Sequence, residues 1–482
     1  MHFTIIFKVL GLLLMLFSLT LLPPILVSLY YGDQTYLSFI SAFGITFITG
    51  LITWLPVYRV KKDLRTRDGF LITALFWTVL GLFGALPLFI ADATQLSVVD
   101  AVFESLSGLT TTGATVLTGI EHLPESILFY RQQLQWLGGI GIIVIAVAVL
   151  PMLGIGGMQL YRAETPGPIK DNKLTPRITE TAKVLFTIYL VLTITCTTAY
   201  WAAGMGLFDA ICHAFSTVAI GGFSTYDASI GHFNSPAIML ICIVFMFLSG
   251  INFALHFFSW NARGIKHYFQ DPEFRFYGSM IILGIVTTVS YLYFSGMYPL
   301  QQSLLNGSFE LVSILTTTGF GVTDFSLWPT FLPVFIFMFA FMGGCGGSTA
   351  GGIKMIRVLL IIKQGIREVH RLIHPNAVIP IKIGPKTVSD RIVEAVWGFF
   401  AIYVMSYLIM VVLLLATGLD FLSAFTAVGA CINNLGPGLG AVAENYGAIN
   451  SSAKWILCFA MLLGRLEVFT LLVLFTPMFW RR

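Results

Sequence analysis

The chain has 482 residues, of which 57% are hydrophobic, 14% aromatic and only 10% charged, against about 25% charged in a soluble protein. A soluble globular protein is excluded. The net charge of +4 is what basic loops at a membrane surface supply, and it gives no reason to invoke nucleic acid.

In chain order, charge-free stretches cover 9–32, 34–58, 69–91, 132–161, 184–208, 228–262, 276–309, 325–353 and 395–419. Each exceeds the ~20 residues that a helix needs to cross a ~30 Å hydrocarbon layer. With the apolar segment 455–480 they predict ten transmembrane helices. The first is too long for the core of a signal peptide and ends in Leu22-Pro23-Pro24 rather than a small-residue cleavage site, so it is expected to remain as a span. Of the 27 Lys and Arg residues, the stretches 59–67, 162–183, 263–275 and 354–391 hold five, five, three and eight. Placing these and both termini in the cytoplasm satisfies the positive-inside rule and requires an even number of spans. Cys196, Cys212, Cys242, Cys345, Cys431 and Cys458 are scattered singly, which indicates neither a disulfide framework nor a metal centre.

Between spans the sequence repeats itself. DAVFESLSGLTTTG from Asp100, DAICHAFSTVAIGG from Asp209 and NGSFELVSILTTTG from Asn306 align without a gap, with Ser107, Ser216 and Ser313 at the eighth place and Gly113, Gly222 and Gly319 last. The first and third also share Phe103/Phe309 and Glu104/Glu310. A longer, approximate fourth copy, DFLSAFTAVGACINNLG, runs from Asp420 to Gly436. Each copy reads as an N-cap and then about eleven mostly apolar residues, a helix of roughly 16 Å that reaches halfway through a bilayer. Apolar side chains on all its sides argue against a helix lying on the surface. Irregular backbone at that depth is tolerated only where it is buried in protein or lines a cavity.

The predicted fold is therefore an all-α polytopic membrane protein of ten transmembrane helices and four re-entrant pore helices. A leading hairpin occupies 1–68, and four span/pore-helix/span repeats occupy 69–180, 181–273, 274–390 and 391–482 with pseudo-fourfold symmetry around a central ion pore. A half-helix ending at mid-membrane aims its negative dipole end at the centre, and the loop after it can expose carbonyls to a monovalent cation. Glycine allows the backbone angles that such a carbonyl-lined loop requires. No nucleophile with a base and orienting group is evident, so an enzyme is not indicated.

Thr110-Thr111-Thr112-Gly113, Ile220-Gly221-Gly222-Phe223, Thr316-Thr317-Thr318-Gly319-Phe320, Asn433-Asn434-Leu435-Gly436-Pro437-Gly438 and Gln135-Trp136-Leu137-Gly138-Gly139-Ile140-Gly141 resemble the superfamily of TrkH, KtrB and plant HKT potassium transporters, the TrkH branch most closely. The resemblance covers essentially the whole chain. It implies K+ uptake through a filter of Thr111, Thr112 and Gly113; Ile220, Gly221 and Gly222; Thr317, Thr318 and Gly319; and Asn434, Leu435 and Gly436. K+ would be held at Thr111, Thr112, Ile220, Gly221, Thr317, Thr318, Asn434 and Leu435. Glycine at all four filter positions favours K+ and Rb+ over Na+; no covalent cofactor is expected.

Gly343, Gly344, Cys345, Gly346, Gly347, Ser348, Thr349, Ala350, Gly351 and Gly352 interrupt an apolar span ahead of Lys354. Each glycine costs a helix about 1 kcal/mol relative to Ala, so the segment should unwind. It lacks the pattern of a phosphate-binding loop, and small-residue helix packing is its plain structural alternative. The resemblance implies instead a gate loop over 343–353 beneath the filter, with Lys354 and Arg465, a charge well inside the last apolar segment, beside it. Arg131 is expected to anchor the interface or to pair with Glu104 or Glu121, and His213 and His256 to be packed.

The resemblance further implies a homodimer in a bacterial inner membrane, in contact with lipid and seated on a cytoplasmic ring of nucleotide-binding TrkA-like subunits. Lys363, Arg367 and Arg371 on the basic stretch joined to the gate are the expected contacts. A secondary transporter coupled to H+ or Na+, working by alternating access, is the rival reading. Four parallel copies of one half-helix favour a central pore over the two inverted halves usual in such transporters.

Overall fold

The computed structural model describes residues 2–60, 66–139, 141, 178–261 and 264–481. Among the described residues, six helical segments are long and apolar enough to cross a membrane: Phe3–Tyr31, Tyr36–Val57, Arg67–Ile90, Lys183–Ala202, Pro272–Phe294 and Asp390–Ala416. Two more spans are bent pairs, Pro236–Ser249 with Phe253–Asn261 at 92° and Ser451–Arg465 with Phe469–Phe475 at 110°. Counting each bent pair as one span, eight of the ten expected spans are accounted for among the described residues. The ninth, over 132–161, is described only through the helix Glu125–Gly139, and residues 142–161 with the basic stretch to 177 lie outside the described residues.

The tenth departs from expectation. Across 325–353 only Leu332–Phe339 forms an α-helix, and residues 340–354 hold no helix, as the accumulated cost of the glycines there requires. The final apolar segment is likewise not one straight span. Its first helix ends at Arg465, and Glu467 and Val468 adopt φ of 55° and 53°, which turns the chain sharply. A second break lies at Gly250 to Asn252, where the Gly250 carbonyl freed from its helix accepts a hydrogen bond from Cys345 N at 2.9 Å. The all-α expectation needs one small amendment, an antiparallel pair of Lys382–Ile383 with Lys386–Thr387 inside the basic stretch.

All four half-helices are present: Val98–Leu109, Leu207–Ala219, Leu300–Leu315 and Phe421–Ile432. From Ala101 to Leu109 every residue of the first is buried, which fits insertion among spans rather than rest on a surface. Their starts differ from the expected caps. Only Asp420 caps its helix, accepting from Ser423 N at 3.0 Å. Asp100 and Asp209 lie in the first turn behind Ser97 and Gly206, and Asn306 lies inside its helix. A carboxylate in the first turn still faces the positive end of the helix dipole, so the sequence signal at the first two copies survives a shift of three residues.

The leading hairpin packs through small residues, with Gly11 and Gly50 each too close to the other's backbone to accept a Cβ. Asp33, in its turn, accepts from Thr35 N at 3.1 Å within the hairpin and fastens it to the helix Glu125–Gly139 by accepting from Ser126 N at 3.0 Å. Burial raises the Asp33 carboxyl, but the hydrogen bonds donated by Ser126, Ser28 and Thr35 outweigh it and hold the group below its ordinary value. A depressed carboxyl stabilises the fold above its ordinary value and stops doing so as the pH falls through the lowered one. The midpoint of thermal unfolding in detergent should therefore fall more steeply with acid in the native protein than in Asp33→Asn.

Candidate functional site

Each half-helix ends in the same way. The residues after the last turn, Thr111, Ile220, Thr317 and Asn434, have φ of 57°, 55°, 64° and 53°. The following N–H reaches back five residues: Thr112 to Ser107 O at 2.8 Å, Gly221 to Ser216 O at 2.8 Å, Thr318 to Ser313 O at 2.7 Å and Leu435 to Ala430 O at 2.8 Å. This is a Schellman closure. It is unusual in that three of the four left-handed residues are β-branched, at a strain of roughly 1–3 kcal/mol each that persists only where the surroundings enforce it. The closure occupies the N–H groups and leaves the carbonyls of the next residues to point elsewhere.

Those carbonyls meet the glycines in a closed cycle. A Cβ on Gly113 would strike Gly221 O, one on Gly222 would strike Thr318 O, one on Gly319 would strike Leu435 O, and one on Gly436 would strike Thr112 O. The four glycines have φ of 81°, 81°, 82° and 99°, so each position excludes a side chain both by conformation and by space. Segments about a hundred residues apart in the chain thus form one ring of backbone. Such a ring of oxygens can replace the hydration shell of a monovalent cation. All twelve residues expected to line a filter lie in these four loops.

Braces hold the ring from outside. Gln135 donates from Nε2 to Gly221 O at 2.6 Å and accepts at Oε1 from Ser216 Oγ at 2.7 Å and Phe223 N at 3.1 Å. Tyr446 OH donates to Gly436 O at 2.7 Å, Tyr403 OH to Asn433 Oδ1 at 2.7 Å, and Asn434 Nδ2 to Thr112 Oγ1 at 2.9 Å. Gln135 stands in one of the motifs that carry the family resemblance; Tyr403 and Tyr446 carried no signal that separates them from packed aromatics.

One side of the ring is closed by the glycine-rich segment. Thr349 Oγ1 donates to Val218 O at 3.0 Å, Gly351 N to Thr317 Oγ1 at 2.7 Å and Gly352 N to Asn433 O at 3.1 Å. These partners belong to the second, third and fourth half-helix ends. Gly351 admits no Cβ, which would strike Asn433 O. Beneath the first loop lies Arg465, whose guanidinium donates to Thr111 Oγ1 at 3.3 Å and to the carbonyls of Gly138 and Gly139. The segment and Arg465 together meet all four helix ends. Lys354 folds back on the Ala350 carbonyl. Glu273, to which the sequence alone assigns no role, fastens the segment by accepting from Gly346 N at 2.6 Å and Ile356 N at 3.1 Å. Glu467, two residues beyond Arg465, pairs with Arg357 at 2.6 Å.

The other side of the ring opens into a cavity of about 670 Å³ lined by Gly113, Gly222, Gly319 and Gly436 together with Arg131, Asp227, Glu310, Asp324 and Glu444. Arg131 pairs with Glu104 at 2.8 Å, both side chains almost wholly buried, and not with Glu121. It also donates to Ser224 O at 3.2 Å and lies over the Phe223 ring at 4.2 Å, so it joins the first loop to the second. Removing one member of such a buried pair strands the other charge, at a cost of about 3–5 kcal/mol. Arg131→Met is accordingly expected to lower the unfolding midpoint in detergent strongly, and Glu104→Gln with Arg131→Met to recover part of the loss.

His213 and His256 are packed as expected. His213 lies between Asp209 O at 2.8 Å and Ser224 Oγ at 2.9 Å, and His256 between Tyr268 OH at 2.7 Å and Leu248 O at 3.0 Å. Among the described residues no cluster suited to a metal ion occurs, and all six cysteines are buried and free.

Residues 37–482 match the family model TrkH, described as a cation transport protein. The chain is 60% identical over its whole length, and that of its relative, to the Trk system potassium uptake protein TrkH of Halomonas elongata, and 54% identical, again over both full lengths, to that of Escherichia coli. A third relative, the Trk system potassium uptake protein TrkG of Escherichia coli, is 44% identical over 100% of this chain and 99% of its own. The crystal structure of the potassium transporter TrkH from Vibrio parahaemolyticus superposes with a TM-score of 0.91 at 52% identity, covering 100% of both chains. With its ring, its glycine-rich floor and this full-length likeness, the chain belongs to the TrkH family of cation transport proteins.

Proposed function

We propose that the protein takes up K+ across a bacterial inner membrane, through a filter formed by the ring of four loops and a gate formed by the segment 343–353. The closed cycle in which each glycine abuts the next loop's carbonyl carries this reading, and relatives named as potassium uptake proteins support it. Both termini lie in the cytoplasm, which puts the cavity outside and the glycine-rich floor inside. The ions are held by oxygens of Thr111, Thr112, Ile220, Gly221, Thr317, Thr318, Asn434 and Leu435; Rb+ follows the same route. Uptake of radioactive Rb+ into proteoliposomes tests the proposal. Uptake that unlabelled K+ suppresses and Na+ at the same concentration does not is expected; equal suppression by the two ions would remove the filter assignment.

The helix Met355–Ile373 continues directly from the floor and is the natural lever on it. We assign the protein a homodimeric assembly whose cytoplasmic side carries a ring of nucleotide-binding subunits docked on this helix. Of the three expected contacts, Arg367 is buried and bonded to Asp390 at 2.7 Å, and Arg371 pairs with Glu368 at 3.1 Å. Lys363 and Arg371 are the two at which charge can change without disturbing a buried arginine. Reversing both is expected to weaken binding of the soluble partner and its nucleotide response by about tenfold or more, as loss of complementary charge slows encounter; partner binding at native strength would place the docking surface elsewhere.

A further inference from the structure

The residue nine places before each ring glycine does related work in three of the four loops. These residues are Glu104, His213, Glu310 and Ala427. Glu104 accepts from Val116 N at 2.9 Å and from Thr115 Oγ1 at 2.9 Å, and Arg131 neutralises it. His213 meets Ser224 Oγ at 2.9 Å. Glu310 accepts from Val322 N at 2.8 Å and Thr323 N at 3.2 Å, both at Oε1. Each side chain ties the limb leaving the ring to its own half-helix.

Glu310 differs from Glu104 in what remains. Its side chain is 1% exposed, yet it belongs to the wall of the 670 Å³ cavity above the ring. Its Oε2 has no hydrogen-bond partner among the described residues, and it is not among the fully enclosed polar atoms left without one, so it opens on the cavity. No Lys, Arg or His pairs with it among those residues, whereas Glu104 at the same place in the first loop has Arg131. Asp324 on the same wall adds a second negative charge. A carboxyl so deeply buried either takes up a proton or keeps its charge against a cation, and since Arg131 on the same wall is committed to Glu104, that cation comes from the ion-bearing solution of the cavity.

We infer that Glu310 is the fixed anion of a monovalent-cation loading site in the cavity wall beside the third loop, where an ion is captured before it enters the ring. A single free carboxylate oxygen, with no third acidic or His ligand grouped around it among the described residues, falls short of the oxygen cage that Ca2+ takes and leaves a monovalent ion held here with most of its water until the ring replaces it. The inference rests on the filter reading above, and the experiment separates the two.

Crystals of the native protein soaked in Rb+ should show anomalous density both in the ring and against the Glu310 carboxylate. Density in the ring alone overturns the loading site and leaves the filter standing, whereas density in neither place removes the filter reading as well. In proteoliposomes, Glu310→Gln is expected to raise the Rb+ concentration for half-maximal uptake about tenfold, since a fixed charge of one sign concentrates counter-ions in a cleft. That shift should exceed any change in maximal rate, and Glu310→Asp, which keeps the charge, should restore most of it. If Glu310→Gln changes K+ over Na+ discrimination while half-saturation stays put, the residue is only a tether for the third loop and the inference fails.

Discussion

Thr349→Val is expected to raise Rb+ flux through the reconstituted protein about tenfold, because it weakens the floor under the ring without adding volume. The hydroxyl donates to Val218 O at 3.0 Å and to Ser249 O at 3.3 Å, and a buried acceptor left without its donor costs about 1–3 kcal/mol. That cost falls on the closed arrangement alone, so the open fraction grows by the corresponding factor. Glu273→Ala should act in the same direction from the far side, since it frees Gly346 N and Ile356 N, which the carboxylate holds at 2.6 Å and 3.1 Å. Arg465→Ala should also raise flux by removing the cation from beneath Thr111. Flux that falls in all three properly inserted variants would show that the floor is packing and not a gate.

The second large effect concerns the ring itself. Gly319→Ala is expected to reduce discrimination of K+ over Na+ about tenfold or more, as the left-handed conformation costs a residue with a Cβ roughly 1–2 kcal/mol and the methyl group meets Leu435 O and Pro437. The Leu435 carbonyl must then turn away. Gly113→Ser should act alike, its Cβ meeting Gly221 O. The protein should still insert, because the half-helices and their Schellman closures are untouched. A variant that keeps full discrimination would mean that the backbone at that position does not face the ion.

Much of this was legible in the chain. The spacing of Gly113, Gly222, Gly319 and Gly436, and the apolar stretches between them, predicted four half-helices with a loop after each, because both signals are local. The glycine-rich stretch 343–352 announced its own unwinding for the same reason. What escaped depends on partners distant in sequence. The bend at Gly250 is invisible in hydropathy because it is made by Cys345 N reaching a freed carbonyl. The break after Arg465 has no Pro or Gly at Glu467 and Val468 to mark it. The half-helices begin up to six residues before the expected Asp or Asn, since Ser97, Gly206 and Pro299 precede them and Asn306 falls within one. Glu273 carries no sequence signal of its own, and only the folded chain shows it fastened to the floor.

Selectivity for K+ over Na+ requires that the four loops contribute one position each to a single ring. Reversal potentials across bilayers holding K+ on one side and Na+ on the other test it directly, measured for the native protein and for Gly113→Ala, Gly222→Ala, Gly319→Ala and Gly436→Ala. The ring predicts a K+-selective potential in the native protein that moves toward zero in every one of the four. A native-like potential in any single variant, confirmed as folded and inserted, would contradict it.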